Sequence, residues 1–196
     1  MTTSATSLRL GLERLPARSC DARAASAVTI RWALVAVFVL AAGVRLVGLG
    51  EGSLTHDEAW RANFADHGGA AERSRLPLLQ WVVLWVLQRG ASSSEAVLRL
   101  PSALCGLAGV VLIWRVARRR LGEGAALAAA AYVALHYEAV TFSRVIKEFA
   151  WELPMVAGLL GIGAWAHDRP TSRRMWIFLA AVLLGLIAGF APILVG

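Results

Sequence analysis

Five long apolar runs, separated by short polar connectors, constrain this chain more than any other feature of its sequence. They occupy residues 30–49, 98–116, 125–142, 150–166 and 176–195. A helix needs about 20 apolar residues to cross the hydrocarbon core of a bilayer, and the runs are close to that length. Since 58% of the 196 residues are hydrophobic, the chain exceeds the apolar content of an ordinary soluble domain. We therefore predict an all-α fold, a polytopic membrane helical bundle with about five transmembrane helices.

A further apolar segment, residues 77–88, is too short for a span. Runs of roughly 10–14 residues are more often interfacial or re-entrant than membrane-crossing. Trp81 and Trp85 lie one helical turn apart in this segment, and tryptophan favours the headgroup region. The sequence thus predicts a short interfacial helix in the first outer loop.

The charged residues are distributed unequally between the connectors. With an N-terminus in the cytoplasm, the inner side holds twelve arginines against four acids, and the outer side holds eight basic residues against nine acids. This asymmetry is the one that the positive-inside rule describes. We expect an integral protein of the plasma (inner) membrane with its active loop on the outer face. Because the arginines flank apolar runs, the net charge of +7 does not indicate a nucleic-acid partner.

Residues 1–29 are rich in Ser, Thr, Ala and Arg and are expected to form a disordered or loosely helical cytoplasmic tail. A signal peptide is the competing interpretation, but the apolar run is longer than a usual h-region and no small-x-small site follows it. Residues 30–196 then form the membrane domain, with an outer loop of catalytic type at residues 50–97. Because the chain stops directly after the fifth run, we expect it to be the front part of a longer protein, and to insert without turnover by itself.

Two adjacent carboxylates, Asp57 and Glu58, follow the first apolar run by a few residues. One interpretation is that they are solvated loop residues. The other is that a carboxylate held at the bilayer surface acts as a general base toward a lipid-borne substrate. His56 precedes the pair, but one histidine and two acids do not make a metal site.

Several short motifs occur in a fixed order along the chain. They are Arg-Leu-Val-Gly-Leu at 45–49, Asp-Glu-Ala at 57–59, Pro77, Arg-Leu-Pro-Ser-Ala-Leu at 99–104, Leu-Gly at 121–122, and Phe-Ser-Arg-x-x-Lys-x-Phe at 142–149. In this order the chain resembles, over roughly residues 30–170, the N-terminal part of the polyprenyl-phosphate-sugar-dependent glycosyltransferases of the C superfamily. These include protein O-mannosyltransferases, the aminoarabinose transferase of lipid A and lipopolysaccharide-core sugar transferases.

The resemblance implies transfer of a sugar from a lipid-linked phosphate donor to an acceptor on the outer face, with inversion at the anomeric carbon. Asp57 takes the role of catalytic base, and Glu58 is its neighbour in the motif. The partners are the donor and membrane lipids, while the acceptor, whether glycan, lipid or protein, is not identified. No cofactor is expected, and a divalent cation stays an open alternative.

Positive charge is needed to stabilise the departing phosphate. The candidates are Lys147 and Arg144, with Arg75 and Arg45 beside them. Arg45 has a competing interpretation as a side chain that snorkels to the interface. Arg61 and Arg99 are weaker candidates, for which a solvated or snorkelling charge is the preferred interpretation. Arg75 also stands where many relatives have a different sequence before the proline, so its role is the least defined.

Two other classes of function stay open at this point. The chain could keep the fold without turnover, as a subunit or a remnant. It could instead be a small transporter, which Arg45, Glu138 and Glu152 near the membrane would suit. The absence of a visible inverted repeat weakens the transporter interpretation.

Overall fold

The structure is a computed structural model that describes residues 18–67, 78–91 and 93–195. All regular secondary structure in these ranges is helical, which confirms the predicted all-α fold. The helices are α1 Arg18–Leu46, α2 His56–His67, α3 Leu78–Gly90, α4 Glu95–Leu121, α5 Glu123–Leu135, α6 Tyr137–Ser143, α7 Phe149–Asp168 and α8 Ser172–Val195. Of the predicted tail, residues 1–17 lie outside the described residues, and the remainder belongs to α1.

Helix α4 is the central element of the bundle. It packs against α1, α3, α5, α6 and α7. Glycines on its buried face allow the close approach of two neighbours. A Cβ atom added at Gly106 would lie 2.5 Å from the Cβ of Ser143 on α6, and one added at Gly109 would lie 2.6 Å from the Cδ2 of Leu153 on α7. In membranes, where lipid is as apolar as leucine, such close backbone packing is a main source of helix association.

Three helices in the described residues are long and apolar enough to cross a membrane: Val28–Leu46, Glu95–Leu121 and Phe149–Asp168. A fourth span results if α5 and α6, which meet at an angle of 58°, are counted together. The sequence predicted about five. The predicted fifth span is helical in α8 but is not among these helices, and the side chains at its end lie outside the described residues.

The bend between α5 and α6 divides a run that the sequence presented as one segment. His136 stands at the break with an extended backbone, φ −60° and ψ 125°. In a continuous helix the carbonyls of Val133 and Ala134 would accept hydrogen bonds from the N–H groups of residues 137 and 138. At the bend these carbonyls need other donors, and Arg45 provides them, as described below.

The predicted polar loop after α1 contains a helix of its own, α2, which was not predicted from the sequence. Helix α2 packs against α3 through a small apolar cluster that also includes a residue of α4 and one that precedes α7. Its buried members are Ala62, Ala65, Leu84, Leu98 and Ile146. The predicted short helix is present as α3, with 13 residues. The two helices together cover one end of α4.

Candidate functional site

Helix α2 begins with a capping box that fixes the positions of both loop carboxylates. The Glu58 N–H donates to the Thr55 Oγ1 at 3.4 Å, and the Thr55 N–H donates to the Glu58 Oε2 at 3.0 Å. A Thr at the N-cap with a Glu three residues later satisfies two backbone donors that the helix itself leaves open. Asp57 and Glu58 thus lie in the first helical turn, where the helix dipole favours negative charge.

The Glu58 side chain is fully buried and receives hydrogen bonds from three segments of the chain. Arg99 of α4 donates from Nε to Oε1 and from Nη2 to Oε2, both at 3.0 Å. The N–H of Ile146 donates to Oε1, also at 3.0 Å. This bidentate geometry is that of a strong carboxylate–guanidinium pair. Glu58 therefore ties α2 to α4 and to the segment that precedes α7.

Two opposing effects act on the pKa of Glu58. Burial by itself would raise it, because an ionised carboxylate loses its hydration. The hydrogen bonds from Arg99 and from the N–H groups of Thr55 and Ile146 act in the other direction, and the pKa lies below its usual range. Glu58 is thus ionised at neutral pH with its acceptor positions occupied, which suits a residue that positions its neighbours.

The remaining donors of Arg99 organise the connection between α1 and α2. Its Nη1 donates to the carbonyls of Leu49 and Gly52, and its Nη2 to the carbonyl of Ser53, at 3.1–3.2 Å. The Arg99 residue is only 8% exposed. Arg99 is therefore a buried organising residue and not the solvated or snorkelling charge that its sequence context favoured.

Asp57 points away from this buried pair. Its side chain is 44% exposed and faces two cations. The Nζ of Lys147 lies 3.2 Å from the Asp57 Oδ2, and the Nε of Arg61 lies 3.5 Å from the Oδ1. Arg61 is paired in turn with Glu148. We call Asp57, Arg61, Lys147 and Glu148 the charged cluster.

The structure thus brings together Asp57 and Lys147, two residues that are 90 positions apart in the sequence. An ion pair that keeps a third or more of each side chain in contact with solvent is worth only about 0–1 kcal/mol. A substrate that carries its own phosphate and hydroxyl groups can therefore separate the two side chains at little cost. Asp57 would then offer a proton acceptor, and Lys147 a positive charge, within a few ångströms of each other.

Arg144 is half-buried at the end of α1. Its Nη1 donates to the carbonyls of Val44 and Val47, and its Nη2 to the carbonyl of Gly48. Val44 lies in the last turn of α1, whose carbonyls have no partner within the helix, and Val47 and Gly48 follow that turn directly. A guanidinium group has five N–H donors, so Arg144 keeps two that these bonds do not use.

Arg45 is completely buried, and its guanidinium group faces the bend between α5 and α6. Its Nη1 donates to the carbonyl of Ala134 at 2.8 Å, and its Nη2 to that of Val133 at 3.1 Å. Another bond reaches the carbonyl of Ala41 within α1. Arg45 thus supplies the donors that the bend requires. In this arrangement the Arg45 side chain has no exposed surface.

Of the remaining site candidates, Arg75 lies outside the described residues. Within residues 18–67, 78–91 and 93–195, no three His, Cys, Asp or Glu side chains form a group that could hold a metal ion. Arg61, a weaker candidate for which a solvated charge was the preferred interpretation, belongs to the charged cluster, and so does Glu148, to which the sequence assigned no role. The spacing of four between Asp57 and Arg61 was an available signal, because residues at i and i+4 share a helix face.

Comparison with known proteins adds one finding. A family model described as dolichyl-phosphate-mannose-protein mannosyltransferase matches residues 74–191, more than half of the chain. The match includes Arg99, Arg144 and Lys147, and it begins after Asp57 and Glu58. No curated protein and no solved structure matches the chain. The family match confirms the resemblance that the sequence motifs indicated.

Proposed function

Because this chain belongs to the dolichyl-phosphate-mannose-protein mannosyltransferase family, we propose that it transfers a sugar, with mannose as the first candidate, from a polyprenyl-phosphate donor to an acceptor. The observation that carries the proposal is the contact of 3.2 Å between Asp57 and Lys147 at the end of the bundle. It puts a partly exposed carboxylate next to a partly exposed ammonium group, and the proposed reaction needs one group of each kind.

The reaction is a single displacement at the anomeric carbon. The acceptor hydroxyl attacks from the face opposite to the phosphate, its O–H proton passes to the Asp57 carboxylate, and the bond from the anomeric carbon to the phosphate oxygen breaks. The electron pair of that bond leaves with the polyprenyl phosphate. Attack from the opposite face gives inversion. General base catalysis of this kind supplies about 10²–10⁴-fold in rate.

Lys147 binds the phosphate of the donor in this proposal and stabilises the charge that develops on the departing oxygen. Arg144 lies three positions before Lys147 in the sequence and holds the end of α1. Its two remaining N–H donors make it a second phosphate contact in this proposal. Arg75 remains a proposed phosphate contact on the basis of the sequence alone. Arg45 is assigned to positioning, because its guanidinium group is buried at the bend.

Glu58 and Arg99 are positioning residues in this mechanism. Their buried pair anchors the first turn of α2, which carries Asp57, to α4 and to the N–H of Ile146. Lys147 follows Ile146 directly in the sequence. The buried Glu58 carboxylate therefore fixes the positions of both reactive residues. Asp57 is the neighbour of Glu58 in the sequence, and Lys147 is the neighbour of Ile146, whose N–H donates to that carboxylate. Catalysis requires such preorganisation of the reacting groups.

We place the charged cluster on the outer face of the plasma (inner) membrane and the N-terminus in the cytoplasm. The support is the excess of arginine in the tail and in the connectors at the other end of the bundle. In this setting α3 lies at the interface, and the donor phosphate meets Asp57 at the level of the lipid headgroups.

The test of this proposal is turnover by Asp57→Asn, which keeps the shape of the side chain but removes the proton acceptor. Because residues 1–196 are expected to insert without turnover by themselves, the substitution is made in the protein translated from its whole reading frame. Membranes that contain this protein are supplied with a mannosyl polyprenyl phosphate, and release of polyprenyl phosphate is measured with cell-envelope acceptors present. We expect turnover to fall roughly 10²–10⁴-fold with donor affinity nearly unchanged. Glu51→Gln is the matched control, since Glu51 is exposed in the same connection and has no ion pair in the described part of the chain. Normal turnover by Asp57→Asn would refute the assignment.

Lys147→Ala tests the other half of the pair. A charge-assisted contact with phosphate is worth about 1.5–3 kcal/mol, so kcat/KM should fall roughly 10- to 100-fold. Unlike Asp57→Asn, this variant should also raise KM for the donor, because the phosphate is charged before the reaction begins. Lys147→Arg should recover part of the loss. A loss that appears in kcat alone, with no recovery by arginine, contradicts a phosphate contact.

A further inference from the structure

A cavity of about 500 Å³ lies between α4, α7 and α8, at the arginine-rich end of the bundle. Its walls are mostly apolar, and small residues of α7, Ala157, Gly158 and Gly161, leave the space open. A Cβ atom added at Gly158 would meet nothing within 4 Å. Its charged lining residues are Arg115 and Arg119 of α4 and the ion pair of Arg120 with Asp168. The cavity therefore combines an apolar wall with positive charge at one end.

The arginines at this end differ in whether their guanidinium groups already have a partner in the protein. Arg118 pairs with Glu123, and Arg120 pairs with Asp168, both at 2.7 Å. Arg174 donates to the carbonyl of Trp165 and stacks on its ring. Arg115 and Arg119, by contrast, are exposed and have no ion pair within the described part of the chain. They are four residues apart and share one face of α4, so that both can contact a single anion.

The cavity is separate from the charged cluster. Arg99, which binds Glu58, and Arg119 lie twenty positions apart on the same helix. At a rise of 1.5 Å per residue this is about 30 Å, the thickness of the hydrocarbon core of a bilayer. When the charged cluster lies at one membrane surface, Arg115 and Arg119 lie at the headgroup level of the other surface.

We propose that this cavity binds an anionic glycerophospholipid of the surrounding leaflet. The phosphate lies between the guanidinium groups of Arg115 and Arg119, and one acyl chain lies along Ala157, Gly158 and Gly161. An apolar wall gives a soluble phosphate nothing to bind, whereas it accepts an acyl chain. A zwitterionic headgroup brings its own positive charge, so two unpaired arginines favour a lipid with net negative charge. Binding here joins α4 to α7 and α8.

Titration of the purified protein with phosphatidylglycerol, followed by native mass spectrometry, tests this inference. Phosphatidylcholine with the same acyl chains serves as the lipid control. We expect Arg115→Gln combined with Arg119→Gln to weaken binding of phosphatidylglycerol roughly 10- to 30-fold, at about 1 kcal/mol for each arginine. Arg169→Gln combined with Arg173→Gln is the matched control, because it removes the same charge from the same end and leaves the cavity lining intact. This control should bind as the wild type does.

Gly158→Leu tests the acyl-chain part of the proposal while it leaves every arginine in place. Gly158 lines the cavity and a Cβ atom there meets nothing within 4 Å, so we expect the larger side chain to occupy the cavity without displacing a neighbouring helix. We expect it to weaken phosphatidylglycerol binding at least as much as loss of the two arginines. Three results would overturn the proposal: wild-type binding by Gly158→Leu, equal losses in the two double-arginine variants, or displacement of phosphatidylglycerol by inorganic phosphate or polyprenyl phosphate at equal concentration.

Discussion

Asp57 and Glu58 are neighbours in the sequence, yet one side chain is exposed and the other is fully buried. Successive residues of a helix point about 100° apart, so a helix that packs on one side separates two adjacent carboxylates. The sequence identified the pair and favoured Asp57 as the base, but it could not show which carboxylate faces the protein. That depends on Arg99 and Ile146, which reach Glu58 only through the tertiary fold.

The buried pair of Glu58 and Arg99 makes a prediction about stability. Removal of one partner from a buried ion pair costs about 3–5 kcal/mol, because the other charge stays buried without compensation. Glu58→Gln should therefore lower the melting temperature in detergent at neutral pH by several degrees, with Glu51→Gln as the exposed control. A melting temperature equal to that of the wild type would show that the pair contributes little.

The stabilisation of the fold by Glu58 should depend on pH. Because the folded protein holds the pKa of Glu58 below its usual value of about 4.3, ionised Glu58 stabilises the fold above that pH. The contribution is lost as the pH falls through the lower folded pKa. The difference in melting temperature between wild type and Glu58→Gln should thus be constant near neutral pH and shrink below about pH 4. A difference that grows on acidification would contradict the assignment.

At the scale of elements, the apolar runs predicted most helices correctly, because burial in lipid requires long stretches without charge. Helix α2 was missed, since its sequence is polar and its stability comes from the capping box and from packing on α3. The bend at His136 was also missed. No proline or glycine marks it, and the donors that satisfy the freed carbonyls come from Arg45, 89 positions before Ala134. Local sequence carries no signal for such a long-range contact.

The close contact of α4 with α6 is open to a packing test. Gly106→Ala puts a methyl group 2.5 Å from the Ser143 Cβ, an atom next to the backbone that cannot move alone. We expect a loss of about 1–3 kcal/mol from overpacking, measured as a lower melting temperature in detergent. Gly158→Ala is the matched control, because it meets nothing within 4 Å and should be neutral or stabilising. Equal behaviour of the two variants would show that α6 is not packed closely on α4.

At the scale of the whole molecule, the distribution of arginine predicts that the two ends of α4 lie on opposite sides of the membrane. Single cysteines at Ser53, Ser93 and Gly124 in a background without Cys20 and Cys105 test this with an impermeant maleimide on intact cells. Ser53 and Ser93 should react, and Gly124 should react only after permeabilisation. Gly124 is preferred to Gly122, whose φ of +85° would strain a cysteine. Labelling of the cysteine at position 124 in intact cells, together with protection of the cysteine at position 93, would show that the orientation is the opposite of the predicted one.

The bonds to Glu58 also impose an order on biogenesis. Its partners Arg99 and Ile146 are synthesised later than Glu58 itself. Arg99 belongs to α4, which follows α3, and Ile146 follows α6. Until the ribosome has translated α4 and the segment that follows α6, Glu58 lacks the hydrogen bonds from Arg99 and from the N–H of Ile146. The carboxylate can be fully buried only after Ile146 has been synthesised, because the N–H of Ile146 is one of its partners. When Ile146 binds Glu58, the next residue, Lys147, comes into contact with Asp57. The reactive pair is therefore completed together with the membrane bundle, and a nascent chain that has inserted its first helix alone does not yet possess it.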